Sequence, residues 1–128
     1  MSVVGPVAPA RADWNHPLPK SWYIELATCE TGLNTRHESR SYVSAFGIYR
    51  RTWDQWANTP ARHADRLDFG AQARVVDRIA WFGHTENGRK QWPVGPWGWG
   101  CLKLRPSLQY ILCQSHHPKV VKWKRGCK

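Results

Sequence analysis

Glu30 is the residue of this 128-residue chain whose position most favours acid chemistry. Residues 22–30 have the composition of a short helix that ends at Gly32. Trp22, Leu26 and Glu30 lie four residues apart, so they share one helix face and the carboxyl group emerges beside apolar side chains. Burial and the negative end of the helix dipole both raise the pKa of such a group. A carboxylic acid that stays protonated near neutral pH can protonate a glycosidic oxygen, although a Glu that turns outward at a helix end fits the same pattern.

The elements that must position Glu30 are predicted to be mostly helical. Ser21 is the expected N-cap of the first helix, and Thr52 the expected cap of a second short helix within residues 48–58. Residues 71–82 have an apolar stripe and form the clearest helix, which Gly83 ends. Residues 31–46 are predicted to be a loop or irregular hairpin and residues 88–100 a loop, while residues 108–113 fit either a helix or a strand.

Tryptophan is unusually abundant, with 9 residues against 3 Phe and 4 Tyr. We expect Trp22, Trp53 and Trp81 to lie in the core. The Gly- and Pro-rich stretch around residues 92–99 carries three more, which suit the wall of a groove in which flat sugar faces stack on indole rings.

The cysteines number four, which permits two disulfides in three connectivities. No Cys-x-x-Cys pair is present, so a zinc ribbon is disfavoured. A zinc site from His116 and three cysteines is the remaining metal alternative. We expect no metal and no cofactor.

Charge is concentrated at the C-terminal end of the chain. The formal net charge is +10, and residues 87–128, which we call the basic region, hold nine Lys/Arg and no acid. Such a block suits a polyanion, whether nucleic acid, an anionic lipid surface or a cell-wall polymer, and it also suits a solubilising tail. No apolar run of membrane-spanning length and no recognisable signal peptide is present.

Four segments, in order, resemble the resuscitation-promoting factors, which are small lysozyme-like, peptidoglycan-cleaving domains of actinobacteria and their phages. The resemblance covers residues 20–102. The segments are Cys29-Glu30-Thr31-Gly32-Leu33-Asn34, Phe46-Gly47-Ile48-Tyr49 with Thr52-Trp53, residues 72–80, and Trp92-Pro93-Val94 followed by Cys101.

The resemblance implies that Glu30 is the catalytic acid and that Cys29 bonds Cys101. Cys113 and Cys127 are candidates for a second disulfide. Two departures stand out: a Gln that the family carries after Gly47 has no counterpart, and Cys101 lies eight residues past Pro93 rather than two. The residues assigned to substrate binding are Tyr49, Thr52, Trp53, Gln72, Trp92 and Trp97.

The predicted fold is α+β and mostly helical, a small lysozyme-like domain with a groove and a basic C-terminal tail. The expected organisation is an extended Pro-rich leader at residues 1–19, a catalytic domain at residues 20–104 and a basic extension at residues 105–128.

The expected function is cleavage of the glycan backbone of peptidoglycan, by a lytic transglycosylase or a muramidase. Glu25, Glu38 and Asp54 are not expected to act as a second catalytic carboxylate. The alternative is an inactive lysozyme-like protein that binds the cell wall or forms part of a virion tail, and nucleic-acid binding ranks last. The expected partners are glycan strands, anionic wall polymers that contact the tail, and other virion tail proteins. An extracellular or virion-associated location follows.

Overall fold

A computed structural model describes residues 14–124 and Cys127. Within them the fold is α+β and mostly helical, which confirms the predicted class. The helices are α1 (Lys20–Thr31), α2 (Arg50–Trp56), α3 (Phe69–Asp77), α4 (Gly100–Leu104), α5 (Pro106–Gln114) and α6 (Pro118–Val121). Antiparallel hairpins are formed by β1 (Tyr42–Val43) with β2 (Ile48–Tyr49) and by β3 (His84–Glu86) with β4 (Arg89–Gln91). Turns of 3-10 helix lie at Ala61–Arg66 and Pro96–Gly98, and a π-helical turn, Arg78–Phe82, continues α3.

Helix α1 begins earlier than predicted. Pro19, not Ser21, occupies the N-cap position, because its extended backbone directs its carbonyl to the N–H of Trp22 at 3.0 Å. Gly32 ends the helix as predicted, in the left-handed conformation at φ 72°.

Helices α2 and α3 also begin earlier than predicted. Strand β2 leads directly into α2, so Thr52 lies inside the helix rather than at its cap. Asp68 caps α3 and accepts a hydrogen bond from the N–H of Ala71 at 2.8 Å. Gly83 ends the π-helical turn as predicted.

The stretch predicted as a loop at residues 88–100 begins with a hairpin strand instead. Asn87 and Gly88 both have positive φ, 51° and 76°, as a type I′ turn between two strands requires. An Asn-Gly pair is a sequence signal for such a hairpin, and the loop prediction did not use it. Residues 108–113, for which helix and strand were both open, belong to helix α5.

The core is rich in indole rings. Trp22, Trp53 and Trp81 are completely or almost completely buried, which confirms their predicted place. The Nε1–H of Trp22 donates to the carbonyl of Leu108 at 3.0 Å, so this ring joins α1 to α5. Glu25, on another face of α1, accepts a hydrogen bond from the hydroxyl of Ser107.

The segment before α1 packs against the domain. Residues 1–13 of the predicted leader lie outside the described residues. Leu18 is buried, the Trp14 ring stacks on that of Phe69, and His16 Nδ1 lies 2.5 Å from Asp77 Oδ2. Tyr23 donates to the other Asp77 oxygen at 2.5 Å, and its burial beside that carboxylate raises the pKa of its phenol.

Residues 105–124 are not a separate tail in the structure. Leu108, Leu112 and Val120 are fully buried in the common core, so helices α5 and α6 pack as part of the same domain. The cause is the apolar side of these helices, which the high charge of the segment conceals in the sequence. No helix in the described part of the chain has the length and apolar character needed to cross a membrane.

Candidate active site

A cleft of about 650 Å³ opens beside the C-terminal end of α1. One side comes from α1, the first hairpin and α2, and the other comes from the π-helical turn and residues 94–100, which we call the rim segment. The lining residues are Glu30, His37, Tyr42, Gly47, Ile48, Tyr49, Thr52, Ile79, Val94, Gly95, Gly98, Trp99 and Gly100.

Glu30 is half-buried in this cleft, in the last turn of α1. Its Oε1 accepts a hydrogen bond from the backbone N–H of Cys101 across 3.4 Å. Burial raises the pKa of Glu30 above its ordinary value, and the Cys101 amide opposes that rise. The helix spacing in the sequence therefore placed this side chain correctly, at the border between the core and a cleft.

Gly47 lies directly against Glu30. Its φ is 58°, and an added Cβ would lie 3.7 Å from both Cβ and Oε2 of Glu30. Beside it, the hydroxyl of Thr31 donates to the carbonyl of Ala45 at 2.6 Å, which ties the end of α1 to the first hairpin. The carboxyl group is thus enclosed by backbone on the hairpin side.

Two disulfides are present. Cys29 bonds Cys101, as the resemblance implied, and their Cα atoms are 6.0 Å apart. Cys113 bonds Cys127, the candidate second pair. Because all four cysteines are in disulfides, the zinc alternative is wrong. Within the described ranges, no group of three His, Cys, Asp or Glu side chains is arranged to hold a metal ion.

Of the residues assigned to substrate binding, Tyr49 and Thr52 line the cleft. Tyr49 is exposed and its ring lies 6.0 Å from that of Tyr42, so the two phenols form one aromatic edge of the cleft. The hydroxyl groups and ring faces of this pair are suited to contact a polar, ring-shaped ligand.

Trp53 and Gln72 cannot touch a ligand in the cleft, because both are completely buried. Trp53 donates from Nε1 to the carbonyl of Thr59 at 2.7 Å. Gln72 accepts from the N–H of Ala45 at 2.9 Å and donates to carbonyls on the far side, so its amide supports the hairpin behind the cleft. Assigning substrate contact to these two residues was therefore wrong.

Trp92 and Trp97 do not line the cleft either. Trp92 is 74% exposed, and Trp97 is partly buried against the core. Trp99 is the indole of this stretch that reaches the cleft, and its Nε1–H donates to the carbonyl of Phe46 at 2.9 Å. On this side, the cleft is thus lined by Trp99 and the backbone around it.

His37, Tyr42 and the glycines of the rim segment are cleft residues that sequence reasoning missed. His37 follows the end of α1 through a polar loop, and its carbonyl accepts the N–H of Ser44 at 3.0 Å. No periodicity marks such a loop residue, although the polar composition of residues 31–46 marked the loop itself.

The other acids near the site have partners elsewhere. Glu38 forms a surface ion pair with Arg50 at 2.7 Å. Asp54 accepts the N–H of Ala61 at 2.8 Å. Neither of these acids lines the cleft. Among the described residues, Glu30 therefore supplies the only carboxylate in the cleft.

The cleft therefore combines one acid, half-buried and shifted towards its protonated form, with an aromatic edge and a backbone-lined rim. This arrangement can bind an extended polar ligand and donate a proton to it. Comparisons of the chain with models of known protein families, with curated proteins and with solved structures found no match.

Proposed function

We propose that this protein cleaves the glycan backbone of peptidoglycan, with Glu30 as the general acid and base. The observation that carries the proposal is the half-buried Glu30 in a cleft of about 650 Å³, with its pKa raised by burial. A raised carboxyl pKa keeps the proton available for a glycosidic oxygen. The ordered resemblance of residues 20–102 to the resuscitation-promoting factors supports the same substrate.

A single cleft carboxylate favours a lytic transglycosylase. Retaining and inverting glycosidases ordinarily use two carboxyl groups that flank the scissile bond. With Glu30 alone, the protonated acid gives its proton to the glycosidic oxygen as the bond from that oxygen to C1 breaks. The resulting carboxylate then takes a proton from the C6 hydroxyl of the muramoyl residue as the C6 oxygen forms its bond to C1. The product is a 1,6-anhydro sugar, and no water is consumed.

The aromatic edge of the cleft suits sugar rings. Tyr42 and Tyr49 are about half exposed, and their rings offer apolar faces with hydroxyl groups at the tips. Thr52 adds a further hydroxyl to the same side. These groups would position the glycan while Glu30 acts on the bond between two sugars.

The basic region would hold the enzyme on an anionic wall polymer. Its exposed Lys and Arg side chains in the described part are Arg89, Lys90, Lys103, Arg105, Lys119 and Lys122. A basic stretch of this kind binds polyanions with an affinity that falls as salt rises. The two disulfides are typical of proteins from oxidising compartments, which fits an extracellular or virion-associated location.

Digestion of purified actinobacterial peptidoglycan, followed by mass spectrometry of the fragments, tests the proposal. Wild type and Glu30→Gln are compared, with Glu38→Gln as the matched control because Glu38 is an exposed acid outside the cleft. Anhydro-muropeptides from wild type and the control, but not from Glu30→Gln, are expected. Reducing-end products would identify a hydrolase instead.

Binding without cleavage is the second candidate function, favoured by the acid-free basic region. In that case no protein releases fragments, yet all sediment with the wall, and the bound fraction falls as salt rises. Charge-reversal variants at Lys119 and Lys122 would then weaken sedimentation, whereas Glu30→Gln would not.

A further inference from the structure

Trp123 packs against the rim segment of the cleft at Gly95. Gly95 lines the cleft and is buried, with φ at 88°. A Cβ added to Gly95 would lie 2.6 Å from Cε3 and 2.7 Å from Cζ3 of Trp123. The indole ring therefore occupies the space immediately next to the Gly95 backbone, where no other residue type fits.

The rim segment has few attachments of its own. The N–H groups of Val94 and Gly95 both donate to the carbonyl of Ile79, at 2.7 and 3.3 Å. At its other end, Trp99 donates to Phe46. Between these points lies the short turn Pro96–Gly98, in which Pro96 is buried and Trp97 packs against the core, while Trp123 packs against the Gly95 backbone before the turn.

Trp123 is itself held by a closed loop. The Cys113–Cys127 disulfide joins residues 14 positions apart, and Trp123 lies inside this loop. Its N–H donates to the carbonyl of Val120 at 2.8 Å, and Val120 is fully buried. The indole Nε1 of Trp123 is buried without a hydrogen-bond partner among the described residues, so the ring is placed by packing and loop closure rather than by a polar contact.

We propose that Trp123 is a positioning residue for the glycan cleft, and that the loop closed by Cys113–Cys127 acts as a brace for the rim segment. The inference rests on the proposed function for its substrate. In this arrangement Trp123 sets the width of the cleft through Gly95, whereas the contacts described for the Glu30 carboxyl group come from Cys101 and Gly47. Loss of the brace should therefore weaken glycan binding and leave proton transfer intact.

The experiment compares wild type, Trp123→Ala and Trp123→Phe, with Tyr110→Ala as the control. Tyr110 belongs to the same C-terminal region but is 67% exposed on α5 and does not line the cleft. The first measurement is amide hydrogen exchange at Val94 and Gly95 by NMR, which needs no activity. The second is KM and kcat on purified glycan strands, with the pH profile of kcat.

Trp123→Ala should exchange both amides at least about 10-fold faster and raise KM about 5-fold or more, while kcat and its pH profile change by less than about 2-fold. Trp123→Phe should restore most of both effects, and the Cys113→Ser/Cys127→Ser variant should resemble Trp123→Ala. A folded Trp123→Ala protein with wild-type exchange and wild-type KM would overturn the proposal. A fall in kcat at unchanged KM would also overturn it.

The two proposals fail in different ways. If the wild type neither cleaves nor binds glycan strands, the proposed function fails, and amide exchange alone decides whether Trp123 braces the rim. If the wild type cleaves and Trp123→Ala cleaves with the same KM and shows the same amide exchange, the function stands and the brace is rejected.

Discussion

The backbone amide of Cys101 donates to Oε1 of Glu30 across 3.4 Å, and the side chain of the same Cys101 is bonded to Cys29, the residue before Glu30. One residue thus holds the acid twice, through a covalent tie to its neighbour and through a hydrogen bond to its carboxyl group. The disulfide fixes the start of α4 against the end of α1. This contact places the backbone amide of Cys101 next to the carboxyl oxygen of Glu30.

The Glu30→Gln substitution should abolish cleavage with little effect on folding. A positioned general acid typically contributes about 10²–10⁴-fold to the rate, so we expect a loss of at least that size. Gln keeps the shape of the side chain and can still accept from the Cys101 amide. Fragment release by mass spectrometry and a thermal melt measure the two effects, and a Gln variant that does not fold would indicate a structural role for the acid.

The stability difference between wild type and Glu30→Gln should depend on pH. The folded-state pKa of Glu30 is raised, so the native state binds more protons than the unfolded state between the unfolded pKa and the folded pKa. Wild-type stability therefore falls as pH rises through that window, and the cost stays constant above it. We expect Glu30→Gln to be equal or more stable at pH 7, with the difference disappearing near pH 4. Denaturant titrations of both proteins at the two pH values check this, and a Gln variant less stable at pH 7 than at pH 4 relative to wild type contradicts it.

Cleavage should have an alkaline limb set by Glu30. In the proposed reaction protonated Glu30 acts first, so kcat/KM should fall about tenfold per pH unit above the raised pKa of that carboxyl group. His37 lines the same cleft, and the His37→Gln variant assigns the limb. If Glu30 is responsible, the limb stays in place in that variant. If the alkaline limb is lost in the His37→Gln variant, the imidazole of His37 rather than Glu30 is the general acid.

The Cys29–Cys101 disulfide should matter for both stability and activity. It joins residues 72 positions apart, against 14 for Cys113–Cys127, so the chain-entropy estimate gives about 4 kcal/mol for the first and about 3 kcal/mol for the second. Cys29→Ser/Cys101→Ser should also lower kcat, because the amide donor to Glu30 is no longer held in place. Denaturant unfolding and single-turnover rates compare the two double variants. Equal kcat values in both would remove the positioning role of the first disulfide.

Glu30 could be located from the sequence because its evidence is local. Four-residue spacing with Trp22 and Leu26, and a Gly two residues later, are properties of one helix, and that helix is present. The core positions of Trp53 and Trp81 follow in the same way from apolar neighbours in short helices.

The rest of the cleft depends on contacts between distant parts of the chain. Trp99 binds a carbonyl that lies 53 residues away in the sequence. No sequence pattern predicts that Trp123 contacts Gly95. Matching motifs identified the region of Trp92 and Trp97 but not which indole turns inward. High charge also concealed the buried face of α5, where Leu108 and Leu112 are four residues apart.

Gln72 provides a last test, because its amide is a buried bridge rather than a substrate contact. Its Oε1 accepts from the Ala45 amide, and its Nε2 donates to the carbonyls of Thr35 and Ala64 at 2.7 and 2.9 Å. Gln72→Leu leaves the buried Ala45 amide without its partner and removes one hydrogen bond from each of the two carbonyls, so it should cost about 1–3 kcal/mol of the free energy of unfolding.

Gln72→Glu should be worse at neutral pH, because a carboxylate would face the carbonyls of Thr35 and Ala64 with no proton to donate. Burial would raise the pKa of the introduced acid, so its native state takes up a proton as pH falls. The penalty relative to wild type should therefore shrink between pH 7 and pH 4, whereas that of Gln72→Leu should stay constant. Denaturant titrations of the three proteins at both pH values measure this. A Gln72→Leu protein as stable as wild type but unable to bind glycan would return Gln72 to the substrate site.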